Sequence, residues 1–593
     1  MQEEKRVKDP VYGYVFFPKH YSKAIIDTPL FQRLRRISQT SYCPLYPSAT
    51  HTRFAHSIGV YYLGNIVASC IQDNSLPELC TAESARSYAL DRKKCKRYLE
   101  VFRLACLLHD VGHAPFSHTG EDFYSRGAKD TQGVEQAVDL EDMLWKALGS
   151  PEKFKVELGR HKPSSANHEI MCAIVGVEQY PKLFKTSAEK EFFARAITGY
   201  KYDDVAKAGL KNEDGVNLSF LNCLIVLLNS SVVDVDRLDY VIRDSKVIGF
   251  ESVSLDYRRL LGGIRVRAEE GECSIVYLKQ SVGILENVVF AHDAEKKWIQ
   301  NHPTIGYEMN LLSQAIAEVR EQFCETLFSK EALLEKGILT KDGKFRIRLM
   351  SDDDLVFLMK NIEKPSDCIK RFFNRGVRER ALWKSETDFE ALFRDGDWSE
   401  TDQRYLQVLL SCTMEALCKM SSKGLRIDDE ALGCLKADAA EAAMVASDGE
   451  MRVTGNLKEI AEKTAGRKKL MAALAEVFEK FAEDHQEKCD FLLQRGNPFK
   501  SGFMKSDLSD TKIQLNVLDE PIRLGDVMPV LQRRKHKKAL GVFYVFHSKK
   551  SSLSEKFANE LVRSLKSFIA ARGDEIRKLF KPELDKLPQA SAA

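Results

Sequence analysis

The chain has 593 residues, 44% hydrophobic and 30% charged, the balance of a globular protein with a sizeable core rather than a disordered or fibrous one. Its 89 basic and 86 acidic residues leave a formal charge of only +3, so only local clusters bear on a nucleic-acid partner. No stretch reaches the roughly 18 uninterrupted apolar residues of a membrane helix, the charged opening MQEEKRVKDPVYGYVF reads as no signal peptide, and 14 scattered cysteines without paired CxxC spacing read as reduced thiols in a cytoplasmic protein.

In chain order, VYGYVFF alternates like a strand and LFQRLRRISQT reads as helical. A helix follows over HTRFAHSIGVYYLGNIVASC, where Phe54, Ile58, Tyr61 and Tyr62 make an apolar stripe. A third helix, about 95–110, ends in LLHD and gives way to the loop-like VGHAPFSH. Residues 119–166 are polar and irregular, an expected surface insertion beside that loop, with EDMLWKAL its clearest amphipathic piece. Helices resume at HEIMCAIVGVEQYPKLF, EKEFFARAITGY and LSFLNCLIVLL, and DVDRLDYVIRD carries acids at a helical repeat.

Residues 251–280 predict a hairpin with IRVRAE and CSIVYL as strands. A helical zone runs to about 330, and pattern returns at DDDLVFLMKNI and YLQVLLSCTMEALCKMSS. The alanine-rich stretch 430–450 reads as helix or as a poorly packed arm. Strands are expected in KIQLNVLDEPIRLGDVMPVL and LGVFYVFHS, and an amphipathic helix in KFANELVRSLKSFIAARGDEIRKLF. The fold class is therefore mainly α, with small β-hairpins and a C-terminal α+β region. The expected division is a core over 1–330, a helical extension over 331–499 and a small α+β domain over 500–593.

Seven of the 13 histidines fall between His51 and His168. Neighbouring side chains on a regular helix point about 100° apart, but at a helix end His109 and Asp110 can turn toward one ion. Imidazole with carboxylate suits Mn, Fe, Zn or Mg-type ions. A lone pair of this kind is common by chance; His113 and His118 in the same tight loop raise its weight. A further acid is expected to complete the ligand set, and DVDRLDYVIRD offers Asp234, Asp236, Asp239 and Asp244. An ordinary solvated acidic face is the competing reading, but the preceding apolar helix argues that this segment enters the core, where unpaired carboxylates are costly.

The blocks FQRLRRISQT, YPSATHTRFAHSIGV, LLHDVGHAPFSH, NHEI and VDVDRLDYVIRD resemble, in order and spacing over about residues 10–320, the HD-domain phosphohydrolases and within them the deoxynucleoside triphosphate triphosphohydrolases. The resemblance implies an HD-domain helical core. It implies one divalent metal ion per active site (Mn, Mg, Fe, Ni or Zn), held by His56, His109, Asp110 and Asp236, with His51 a weaker candidate. It implies catalytic roles for His113, His118 and His168, with Asp110 also facing the nucleophile. Arg53 and Arg237 correspond to phosphate-binding cations, and Gln39, Tyr240 and Asp244 to sugar-recognising residues. His302, in KKWIQNHPTIGYEM, corresponds to a further substrate contact, while Gln300 stands where relatives carry a sugar-packing ring. SDDDLVFLMKNI and FFNRGVRERALW are loosely similar to a segment that follows the core in that family.

The expected reaction is hydrolysis of deoxynucleoside triphosphates: water attacks the α-phosphorus, an imidazole of near-neutral pKa donates a proton to the leaving oxygen, and deoxynucleoside and intact triphosphate are released. The alternatives are an HD-type phosphomonoesterase or phosphodiesterase acting on another nucleotide, and a catalytically weak nucleotide- or nucleic-acid-binding protein. The resemblance also implies a homo-oligomer. The basic run RRKHKK at 533–538 reads as a solvated loop in preference to a nucleic-acid or regulatory-nucleotide contact.

Overall fold

The computed structural model describes residues 4–41, 45–81, 90–130, 134–149, 165–203, 210–230, 233–249, 254–269, 272–394, 398–420, 425–447, 455–496, 501–504, 506–515, 520–528, 541–548 and 555–587. The run RRKHKK lies outside the described residues. The protein is mainly helical, with an HD-like helical core, small hairpins and a mixed α+β C-terminal region. Its chain divides into two compact units that interleave in sequence: residues 1–295, 315–364 and 501–534 form the first, and residues 296–314, 365–500 and 535–593 the second. The stretch 500–593 is thus shared between them.

In the first unit, strands Glu4–Asp9 and Gly13–Pro18 form an antiparallel hairpin. Asp9 Oδ1 accepts the N–H groups of Val11 and Tyr12, and Gly13 closes the turn at φ +83°, a backbone region glycine enters without strain. Val15 and Phe17 point into the core while Tyr14 and Phe16 face out, the alternation read from the sequence. LFQRLRR forms only a short helix, Pro29–Gln32, continued by a 3-10 turn. The break serves Arg33, which is buried and donates to the carbonyls of Met350, Val111 and His113.

The helix Arg53–Asn74 is long and apolar enough to cross a membrane by composition alone, yet two thirds of that window is buried in the protein; it is a core helix and carries Arg53 and His56. Helix Arg92–Leu108 starts on the Asp91 side chain, which accepts Lys94 N–H, and stops immediately before His109. Helices Asn167–Gln179, Ser187–Thr198, Leu218–Leu228 and Val235–Ile248 follow. The last opens on Asp234, whose side chain accepts Arg237 N–H, and closes on Gly249 at φ +80°. The described part of the insertion holds a short exposed hairpin, Arg126–Lys129 with Glu135–Ala137, and helix Leu140–Ala147.

The expected hairpin, Ile264–Glu269 with Glu272–Leu278, gains two more strands. Lys512–Gln514 runs parallel to Glu272–Leu278, and Ile522–Arg523 pairs antiparallel to it. That pairing brings residues 501–534 into this unit.

In the second unit, strands Arg426–Asp428, Asp490–Gly496, Val542–His547 and Arg380–Ala381 form an antiparallel sheet in that order. Its core includes Trp383, Phe389, Phe478, Phe491 and Phe543. The alanine-rich stretch is helical, Asp429–Ser447. Helix Glu555–Leu579 buries Phe557, Leu561, Leu565 and Ile569, one stripe at helical spacing.

Candidate active site

Three segments of the first unit meet at the histidine-rich loop. Helix Arg53–Asn74 supplies His56, the turn after Leu108 supplies His109 and Asp110, and the first turn of helix Val235–Ile248 supplies Asp236. His56 Nε2 lies 2.8 Å from Asp236 Oδ1 and 3.2 Å from His109 Nε2. His109 Nε2 is 3.6 Å from both Asp236 Oδ1 and Asp110 Oδ2, and Asp110 Oδ2 is 3.9 Å from His56 Nε2. His56, His109 and Asp236 thus place ligand atoms within 4.8 Å of one another, and Asp110 stands beside the two imidazoles with its Oδ2 held by Arg53.

The donor set fits a divalent ion. His56 Nδ1–H donates to Asp239 Oδ2 at 2.7 Å, and His109 Nδ1–H donates to the Cys106 carbonyl at 3.0 Å. Both acceptors lack a proton to give, so each ring donates from Nδ1 and turns its Nε2 edge toward the other and toward Asp236, an arrangement a shared cation suits. The electrostatics show the same demand for positive charge. Burial opposes an imidazolium at His56, yet Asp236 and Asp239 overcome it and push its pKa up to about 10. Burial also opposes charge on Asp110, but Arg53 and the histidines around it hold that carboxyl well below the usual range.

Behind His56 stands a buried chain. Asp239 accepts two hydrogen bonds from Arg243 (2.9 and 3.1 Å), and Arg243 Nη1 donates to Asp9 at 2.9 Å. Gly59 makes room for it: a Cβ there would sit 1.9 Å from Asp239 Oδ1 and 2.3 Å from Arg243 Nη2.

The remaining loop histidines form a second group. His113, His118 and His168 offer ring nitrogens that all lie within 4.8 Å of one another. Glu121 ties two of them, accepting from His118 Nδ1 at 2.9 Å and from His168 Nδ1. His113 is fully buried; burial, with Arg53 and His168 nearby, pushes its pKa far down, so it is neutral. His109 and Asp236 from the first group and His168 from the second line one small cleft, together with Glu169 and Asn229. Burial raises the Glu169 carboxyl to about 7, against the pull of His168 and the hydrogen bonds from Ala166 N–H and Asn229 Nδ2.

The other sequence-predicted residues divide. Arg53 is buried and spends its donors on Asp110 Oδ2 (2.9 Å), Ser117 Oγ (2.9 Å) and the Gln39 carbonyl (3.3 Å). Gln39 Oε1 is buried with no hydrogen-bond partner among the described residues. Asp244 accepts from His51 Nε2 at 2.6 Å, so His51 pairs with that carboxylate and stands outside the converging set of ligand atoms. The Tyr240 ring lies 6.4 Å from that of His292. Arg237 donates to the Ser230 carbonyl at 3.2 Å. His302 belongs to the second unit, where its Nδ1 accepts Thr304 N–H as helix Pro303–Phe323 begins.

Sequence reasoning did not single out Asp239, Glu121, Glu169 or Asp352. Asp239 and Glu121 each lie three residues after a site residue, Asp236 and His118, a spacing that puts a supporting carboxylate on the same side of a helical turn. Asp352 carries no local signal. Its carboxylate accepts Phe116 N–H at 2.6 Å and Ser38 N–H at 2.9 Å, and so clamps a loop whose Phe116 and Ser117 both sit at positive φ, 54° and 51°.

A family model described as HD domain matches residues 53–161. Residues 53–161 thus carry an HD domain. Its relatives include an uncharacterized protein of Mycoplasma genitalium, 26% identical over 308 residues that make up 51% of this chain and 58% of that one. A deoxynucleoside triphosphate triphosphohydrolase, SAMHD1 of Bos taurus, is 30% identical over 288 residues, 47% of this chain and 42% of that one. The Dictyostelium discoideum homolog of SAMHD1 is 29% identical over 386 residues, 65% of this chain and 60% of that one. The chain spans about half the length of the curated relatives it matches. The HD match contains His56, His109 and Asp110, and Asp236 comes from the helix beyond it.

Proposed function

We propose that the chain is a metal-dependent phosphohydrolase that cleaves deoxynucleoside triphosphates into deoxynucleoside and inorganic triphosphate. The observation that carries the reading is the gathering of His56, His109, Asp110 and Asp236 beside a cleft that His109, His168 and Asp236 line. The names of the SAMHD1 relatives support the substrate class.

When bound by those four residues, a divalent ion supplies charge that offsets the phosphate oxygens. Arg53 holds Asp110 in its ligand orientation and keeps it ionised. Asp239 fixes the His56 ring so that Nε2 faces the site. In this reading His118, half exposed and oriented by Glu121, passes a proton to the leaving oxygen, a role suited to an imidazole. His113 and His168 flank it, with His113 held neutral. Gln39 Oε1, a buried acceptor without a donor among the described residues, suits a sugar hydroxyl.

The test is product identification by phosphorus NMR on the purified chain with Mn, given dNTPs, NTPs and simple phosphate esters in parallel. Intact triphosphate as the primary product from dNTPs supports the reading. Orthophosphate or pyrophosphate as the sole primary product overturns it in favour of another phosphohydrolase chemistry at the same centre. The same reading makes the protein a homo-oligomer, which light scattering decides.

A further inference from the structure

We propose that His113, His118 and His168 form a second divalent-ion site, of the zinc class, bordering the same cleft as the centre made by His56, His109, Asp110 and Asp236. Each ring offers a nitrogen, and these nitrogens lie within 4.8 Å of one another. Three nitrogens bound to one zinc at bond lengths near 2.1 Å sit about 3.4 Å apart, so the set closes when the His113 and His168 rings, stacked with centroids 4.3 Å apart, rotate out of their stack.

The hydrogen bonds around the triad prepare it for an ion. Glu121 accepts from Nδ1 of both His118 and His168, which orients the two rings and leaves the opposite nitrogen of each free of that carboxylate. This is the carboxylate–histidine arrangement that orients metal-binding imidazoles. His113 presents its Nδ1 to the Ala114 carbonyl at 3.4 Å. Its Nε2 is fully buried and has no hydrogen-bond partner among the described residues, a costly state for a polar atom that a metal–nitrogen bond removes. The side chain of His118 is 55% exposed, so an ion has a way in and a position open to water.

The donor set also selects the ion. Three imidazoles with the carboxylate placed behind them favour zinc over magnesium or calcium, which take oxygen ligands. The four-residue centre, with two carboxylates, accepts the harder ions. One consequence rests on the proposed function: an ion on the triad occupies the lone pairs that proton transfer needs, so zinc inhibits hydrolysis that manganese supports.

The test counts ions. The full chain is stripped with chelator, and zinc is titrated by calorimetry and counted by mass spectrometry after desalting, at mildly alkaline pH. The wild type is expected to hold two zinc ions per chain. His118→Ala, a change at an exposed side chain, is expected to weaken one of the two by about tenfold or more. The H109A/D110A variant is expected to lose the other and keep the triad ion. His168→Ala, checked for folding by retention of one manganese ion, repeats the test from a less exposed position. A single zinc per wild-type chain, or two ions undiminished in both triad variants, overturns the proposal. Two ions in a protein that releases no triphosphate leave this site standing without the proposed reaction; triphosphate release with one ion per chain does the reverse.

Discussion

Asp239 accepts the Nδ1–H of His56 at 2.7 Å and so decides which nitrogen of that ring faces Asp236 and His109. Arg243 closes on the other side of the same carboxylate. The pair makes His56 a ligand by orientation rather than by proximity alone. Asp239→Asn removes the charge that fixes the tautomer and leaves Arg243 with one carboxylate instead of two. The expected result is manganese affinity lower by about 10–100-fold, read by calorimetry. Unchanged affinity in a folded Asp239→Asn protein removes Asp239 from the account of the site.

Gly59 tests the same network from the packing side. A methyl group there collides with Asp239 and Arg243, neither of which is the free end of an exposed chain. Gly59→Ala is expected to destabilise the protein by about 1–3 kcal/mol in urea unfolding, although alanine is the better helix former. A neutral or stabilising change means that the pair has room to shift.

Asp352 gives a pH signature. Burial pushes its carboxyl up to about 6, against the N–H groups of Phe116 and Ser38 that favour its charge. The unfolded carboxyl titrates near about 3.9, so between those values the native state holds a proton that the unfolded state has released. Stability from this group therefore falls as pH rises through that window and levels off above it. Asp352→Asn is expected to flatten that part of the curve of Tm against pH. It also leaves one N–H short of an acceptor, at about 1–3 kcal/mol. A slope that survives the substitution assigns the effect to another group.

The chemistry was legible wherever the chain is locally dense. Imidazoles and an acid at the end of an apolar helix announced His109 and Asp110, and the family resemblance brought Asp236 forward among the four acids of DVDRLDYVIRD. What hid were the partners that arrive from far along the chain. Asp352 reaches Phe116 across 236 residues, and residues 501–534 join the first unit because Lys512–Gln514 pairs with a hairpin strand far upstream. No local pattern encodes such pairings. LFQRLRR reads as one helix because its apolar spacing is helical, but the structure breaks it after Gln32 and buries Arg33 against three carbonyls, a role invisible without the loop it holds. Asp244, which the resemblance assigns to the sugar, is engaged by His51 in the fold.

The most direct measurement is deoxynucleoside triphosphate hydrolysis by chelator-stripped protein, before and after manganese is restored, in the wild type and in H109A/D110A. The account predicts no turnover after stripping, recovery with manganese in the wild type alone, and a variant that stays folded while binding manganese neither tightly nor productively. Turnover that persists in the stripped wild type, or that manganese restores in H109A/D110A, contradicts it.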